Sequence, residues 1–362
     1  MKKLIAAGAI ALVTTSLTAS AMAEDLDAFN ARATKITEDA TKTQTATPPN
    51  SGPAIAKNKT IVIIPCSMGA EGCARVARST QEAATVVGWK SVLIDGGGDL
   101  STIANAIRKA ISIHADGISI MAVDAKQVQG ALKEARAAGI KIVSAASANQ
   151  DGLYDTVNPS QDASVEAGYA IAAQAYQQNG RKLWALEMND REFAIVQWWL
   201  SGVEKFMKEC AEAGGDCKML GTDNFLVGDL TTRLPDQTVA LVRNHPDYNY
   251  LFAGYDAALN FMIKGLHAAG LDKQGHSAGF DGNLANLDFI RKDGYQDASL
   301  ANAMEWYGYE HVDQLNRLFN NQPVVPTAIR FKVINKGNAP EKGGWVGDVD
   351  FKSFYRQAWG VK

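Results

Sequence analysis

The sequence predicts an α/β fold built as two doubly wound parallel-sheet lobes, and three observations carry that prediction. Short β-branched apolar runs alternate with segments of helical periodicity ten to fifteen residues long, the pattern of βαβ units. The alternation runs through two successive series, so two sheets are expected. With the leader set aside, about 340 residues remain, more than one hydrophobic core usually organises.

The N-terminus reads MKKLIAAGAIALVTTSLTASAMA: two lysines, an apolar run from Leu4 to Leu17, then Ala21, Met22 and Ala23 as a small-x-small signal. That order is a secretory signal peptide over residues 1–23, cleaved after Ala23, and it places the mature chain in the periplasm. No cysteine follows the apolar run to take a lipid anchor. No later stretch holds eighteen consecutive apolar residues, so no spanning helix is expected. Residues 24–58 are polar and threonine-rich, with a short amphipathic helix from Leu26 to Thr41 and then the helix-stopping TPPNSGP, an extension and linker appended to the fold.

From Lys59 the strands begin. TIVIIP (60–65) is apolar throughout, as a strand buried on both faces must be, and the helical segment after it stops at Gly88. SVLI (91–94), GISIM (117–121) and KIVS (141–144) continue the first series, with helices near 101–113 and 125–138. The second series has strands at 182–188, 217–220, 249–253, 276–280 and 300–304, separated by helices at 161–178, 192–210, 231–244, 255–269 and 284–292. A helix at 307–319 and the strand AIRFKV (328–333) finish it.

Thirty-six basic residues less Lys2 and Lys3 leave 34 against 39 acidic, a formal charge of −5 for the mature chain. A mildly acidic surface without basic runs gives no electrostatic case for nucleic acid. The four cysteines fall into two pairs, Cys66 with Cys73 and Cys210 with Cys217. In an oxidising compartment local pairs read as disulfides, and neither a CxxC redox motif nor a zinc-ligand spacing is present. The five histidines accompany no nucleophile in a catalytic order, so neither an enzyme nor a metal or other cofactor is expected. DGGGDL (95–100) lacks the glycine order of a dinucleotide or phosphate loop and reads as a flexible strand-to-helix turn.

In open α/β sheets ligands bind at the carboxyl ends of the strands, which directs attention to the loops there. FAIVQWWLSG sets Trp198 and Trp199 about 100° apart near a helix start, so one belongs to the core and the other is free to face a ligand. GYD (254–256) and GFDGN (279–283) each end an apolar strand with an aromatic and an aspartate; Asp281 is a candidate acceptor of ligand hydroxyls or partner of a cation. Asn302, Glu305 and Trp306 stand at a strand–helix junction.

The order of elements, together with DGISIMAVDAKQVQGALKEARAAGIKIV (116–143), HPDYNYLFAGYDAALNFMIKGLHAAG (245–270), GFDG (279–282) and GYEHVDQLNRL (308–318), resembles the type I periplasmic solute-binding proteins of ABC importers, of the ribose-binding family, over about 57–335. The resemblance implies two lobes joined by a three-segment hinge with crossings near 157–162, 281–284 and 303–307. Lobe one would take 57–158 plus 304–332, and lobe two 159–303 plus 333–362. It also implies an inner-membrane ABC permease as partner, a monomer, and a small solute captured by closure.

The chain departs from the sugar-binding pattern of that family. Met68 to Cys73 stand where an Asn-Pro-Phe-Phe-like loop is usual, Ala145 and Ala146 where an Asp-Arg pair is usual, and QWW where an arginine is usual; Asp281 alone is kept. The candidate ligand residues are therefore Met68, Glu71, Ser147, Trp198, Trp199, Phe225, Tyr255, Asp281, Asn302 and Glu305, an apolar, aromatic and acidic set. The expected solute is a sugar with altered hydroxyls or a polyol. The alternatives are an aromatic or cationic solute, or a sensor feeding a receptor or histidine kinase.

Overall fold

The computed structural model describes residues 24–361; the expected signal peptide and its cleavage site lie outside the described residues. In the first lobe β1 (Thr60–Pro65), β2 (Lys90–Leu93), β3 (Gly117–Met121), β4 (Lys141–Ala145) and β5 (Thr156–Asn158) form a parallel sheet in the order β2-β1-β3-β4-β5. Five of the six residues of β1 and all five of β3 are buried, as the apolar runs require. Helices α2 (Glu71–Val86), α3 (Leu100–Ser112) and α4 (Gln129–Ala137) connect them. The edge strand β5 was not expected; its three half-buried residues carry no apolar run that would announce it.

The second sheet runs β11-β10-β9-β8-β6-β7, from β6 (Lys182–Asn189), β7 (Asp216–Asn224), β8 (Tyr250–Ala253), β9 (His276–Asp281), β10 (Gln296–Ala301) and β11 (Lys332–Asn335). All neighbours are parallel except β11, which lies antiparallel on the β10 edge. Helices α5 (Gln161–Gln178), α6 (Ala194–Glu212), α7 (Leu234–Asn244), α8 (Asp256–Ala268) and α9 (Leu284–Arg291) cover it. Helices α5 and α6 touch backbone to backbone: a Cβ at Gly168 would meet the Trp199 carbonyl oxygen at 1.7 Å, and one at Gly202 the Val165 carbonyl oxygen at 2.0 Å. That close approach fixes where α6 begins, at the edge of the cleft.

The chain passes from the first lobe to the second at 158–161 and back at 301–304, where α10 (Met304–Phe319) packs on α2 and β4. It returns through 320–331. The expected crossing at 281–284 is corrected: β9 and β10 pair in the same sheet, so that turn stays in the second lobe. AIRF does not form a strand; the Gln44 side chain of the N-terminal segment donates to the Arg330 and Phe331 carbonyls there, and β11 starts at Lys332.

Both termini cross the hinge as well. Helix α1 (Leu26–Thr41) was expected as an appendage, but Phe29 is fully buried against Tyr176 and Phe206, in the second lobe's core. Residues 42–58 then run to the first lobe, where Asn316 and Arg317 hold the Pro53 and Ser51 carbonyls and Trp89 donates to the Ala56 carbonyl at 2.7 Å. At the other end, β11 stays in the second sheet as expected, whereas α11 (Phe351–Trp359) packs on α10 of the first lobe, a departure from the expectation for the end of 333–362. Phe351 stacks on Trp306 and Trp359 on Tyr309, and the Trp359 indole donates to Asp313. Both expected disulfides are formed, Cys66–Cys73 and Cys210–Cys217.

Candidate functional site

The carboxyl ends of the two sheets face each other across the lobes. From the first lobe the cleft wall takes Cys66 after β1, Cys73 in the first turn of α2, and the residues after β3 and β4; from the second it takes Phe193, Tyr255 and Asp281. Three non-glycine residues of this wall have left-handed backbone: Ala122 (φ 53°), Ala146 (φ 54°) and Asp281 (φ 113°). Such conformations cost about 1–3 kcal/mol each and persist where surrounding structure holds them, commonly at ligand sites. Here the Ala122 N–H donates to the Ala145 carbonyl at 2.9 Å and the Ala146 N–H to the Asn158 carbonyl at 2.8 Å.

Asp281 is 6 % exposed and its carboxylate packs against α2, where a Cβ at Gly72 would lie 2.8 Å from Oδ2. Burial, reinforced by Asp256, pushes its carboxyl well above the ordinary range, against the pull of Arg75. Asp256 anchors the Asp281 loop from beneath: its Oδ2 accepts the Asn283 N–H and the Ser299 hydroxyl, both at 2.9 Å, and its Oδ1 accepts from Gln296 at 2.9 Å. Tyr255 donates to Asp190 at 3.0 Å, and burial raises Asp190 to about 7.

Arg75, on α2, reaches across the hinge. Its guanidinium forms a two-pronged pair with Glu305 at 2.8 Å on each bond, and donates to the Asp281 and Trp345 carbonyls and to Asn283. Two further bonds cross the cleft. Asp124 of the first lobe accepts the Ala194 N–H at the start of α6, where a carboxylate complements the helix dipole. Gln127 donates to the Glu192 carbonyl at 2.9 Å. In this closed arrangement the cavity beside Asp281 is about 50 Å3, space for a few waters. A sugar-sized molecule needs about 300 Å3 or more, so its entry requires the lobes to part.

Of the candidates read from sequence, Tyr255 and Asp281 line this cavity, with the Cys66–Cys73 disulfide beside them. Glu305 holds Arg75, and Glu71 adds negative charge near Asp281. Phe225 supports Tyr255 from behind, at 5.6 Å between rings. Trp199 is a core residue: it is fully buried, donates to the Gly254 carbonyl and stacks on Phe280. Trp198 is half-buried outside the cavity wall. Ser147 holds the turns after β3 and β4 through Val123 and Ala145, and Asn302 bonds Tyr307. Met68 takes its N–H to Asp95 at the loop's outer side.

Sequence reading missed Arg75, Phe193, Asp124 and the two left-handed alanines. A larger cavity of about 780 Å3 lies behind the hinge, between α1, α5 and 326–331, away from the facing strand ends where ligands of such sheets bind. Among the described residues no group of three or more His, Cys, Asp or Glu is placed to hold a metal ion, and no helix is long and apolar enough to cross a membrane.

Comparison with solved structures finds the same fold in solute-binding proteins of ABC transporters. One from Agrobacterium vitis with bound allitol has 16 % identity, covering 77 % of this chain and 96 % of that one, with a TM-score of 0.67. One from Burkholderia graminis in complex with D-arabinose has 21 % identity, covering 80 % and 99 %, with a TM-score of 0.68. The 5-methylthioribose transporter solute-binding protein of Thermotoga lettingae has 17 % identity, covering 78 % and 88 %, with a TM-score of 0.67. No curated protein sequence matches. Residues 61–323, most of the chain, match the model of the periplasmic binding protein domain, and with its two facing sheets the chain belongs to that family.

Proposed function

We propose that the chain is the periplasmic solute-binding component of an ABC importer, capturing one small sugar-like solute, a polyol or modified sugar, between its lobes and presenting it to an inner-membrane permease. The observation that carries the reading is the cleft itself. Strand ends from both sheets converge on Asp281, and bonds such as Asp124 to Ala194 and Gln127 to Glu192 exist only when the lobes meet. A solute touching both walls binds the closed state better than the open one and shifts the population toward it. The sugars and polyols held by structurally similar proteins support a solute of that size. The reading assigns the chain no chemical step.

A thermal-shift panel of sugars, polyols, aromatics and amines tests it. A solute at a hundredfold excess over its dissociation constant adds about 2.7 kcal/mol and raises the melting temperature. If no compound shifts the transition and none co-purifies, the reading fails.

A further inference from the structure

Resting on that reading of the cleft, we infer that the solute is an amine cation on a compact, hydroxyl-poor body of sugar size, its ammonium held by Asp281 and its apolar faces by the disulfide and aromatic walls.

The cavity beside Asp281 offers few polar groups. Among the described residues of the cavity wall, only Asp281 and Tyr255 carry polar side-chain atoms other than sulfur. The Tyr255 hydroxyl already donates to Asp190 and has only acceptor capacity left. The remaining side chains, among them the Cys66–Cys73 disulfide, Met121 and Phe193, are apolar. An unmodified sugar or polyol brings four or more hydroxyls, and closure would bury most of them without partners. Such burial is unfavourable for every hydroxyl left unpaired.

Charge then selects among hydroxyl-poor solutes. Arg75 is the cation beside Asp281, yet its guanidinium is fully engaged: two N–H groups go to Glu305 and the other three are shared among Asn283 and the carbonyls at 281, 282 and 345. None reaches the Asp281 carboxylate, and no ion pair of the described residues ends there. Glu71 adds to the negative charge near it. The field therefore favours a cation and opposes an anion. The rings of Phe193 and Tyr255, 6.2 Å apart at 85°, give the wall an aromatic surface for the apolar groups of such a solute. An ammonium at Asp281 adds opposite charge to the hydrogen bond, an ion pair that a neutral hydroxyl at the same place does not form.

Isothermal titration with matched pairs tests the inference: daunosamine against 2-deoxy-L-fucose, in which a hydroxyl replaces the amine, and cyclohexylamine against cyclohexanol. Within at least one pair the amine should bind about tenfold or more tightly than its hydroxyl partner, and Asp281→Asn should abolish that preference. The comparison in the unaltered chain stands whether or not D281N folds. Binding of D-arabinose, myo-inositol or the hydroxyl partners without binding of the amines would overturn the inference and leave the solute-binding reading intact. An amine preference that survives in folded D281N would also overturn it. Silence from every sugar, polyol and amine counts against both.

Discussion

Arg75 joins four parts of the chain: its own helix, the turn at 281–283, the start of α10, and Trp345 on the C-terminal crossing. Removing one partner of a buried ion pair typically costs 3–5 kcal/mol, because the other charge is left without compensation. Arg75→Met should therefore lower the urea midpoint by an amount corresponding to about 3–5 kcal/mol; an unchanged midpoint would contradict the account of this residue. Nothing in the sequence marks Arg75, because an arginine on an amphipathic helix reads as solvent-facing and its partners lie 206 to 270 positions away. Asp281 was legible because a strand end followed by Phe-Asp-Gly announces itself, whereas Ala122 and Ala146 shape the cleft through backbone angles that alanine gives no reason to expect. Asp256 supplies a pH test. Burial raises its carboxyl from 3.8 to about 7, so the folded state binds a proton that the unfolded state releases. Its contribution is fully present below about pH 4 and is lost as pH rises toward 7, at up to about 1.4 kcal/mol per unit. The slope of unfolding free energy between pH 4 and 7 should be shallower in Asp256→Asn than in the unaltered chain, and equal slopes would contradict it.

At the scale of elements, alternation of apolar runs with helical periodicity made most strands and helices readable, and α1 runs from Leu26 to Thr41 as its amphipathic pattern predicts. Periodicity shows which face of an element is apolar but not what covers it. That is why α1 read as an appendage, why α11 was assigned to the other lobe, and why β11 was placed a few residues early. The covering of α1 is testable through Phe29, which is fully buried among Tyr176 and Phe206. Phe29→Ala should destabilise the protein by about 3–5 kcal/mol in equilibrium unfolding, whereas a loss below about 0.5 kcal/mol would return α1 to an exposed extension. The Cys66–Cys73 bond closes a short loop, worth about 2.5 kcal/mol on the chain-entropy view. Its sulfurs also form part of the cleft wall, so replacing both cysteines with alanine should weaken solute binding as well as lower the melting temperature.

At the scale of the molecule, two lobes meet across a cavity of about 50 Å3, and both terminal segments cross the hinge beside the three passages of the core. The C-terminal crossing is tied to the cleft, since Arg75 binds the Trp345 carbonyl, and it meets the N-terminal one where Asp348 accepts the Gln44 N–H. Opening for a solute must therefore move more than the hinge of a three-passage fold, and small-angle scattering should show a smaller radius of gyration with solute than without. The central claim, that Asp281 and the facing strand ends hold one small solute, is tested most directly by native mass spectrometry of the protein purified without denaturation. The account predicts a single bound solute of sugar-like mass at one per chain, absent from folded Asp281→Ala; a solute retained undiminished in that variant would contradict it.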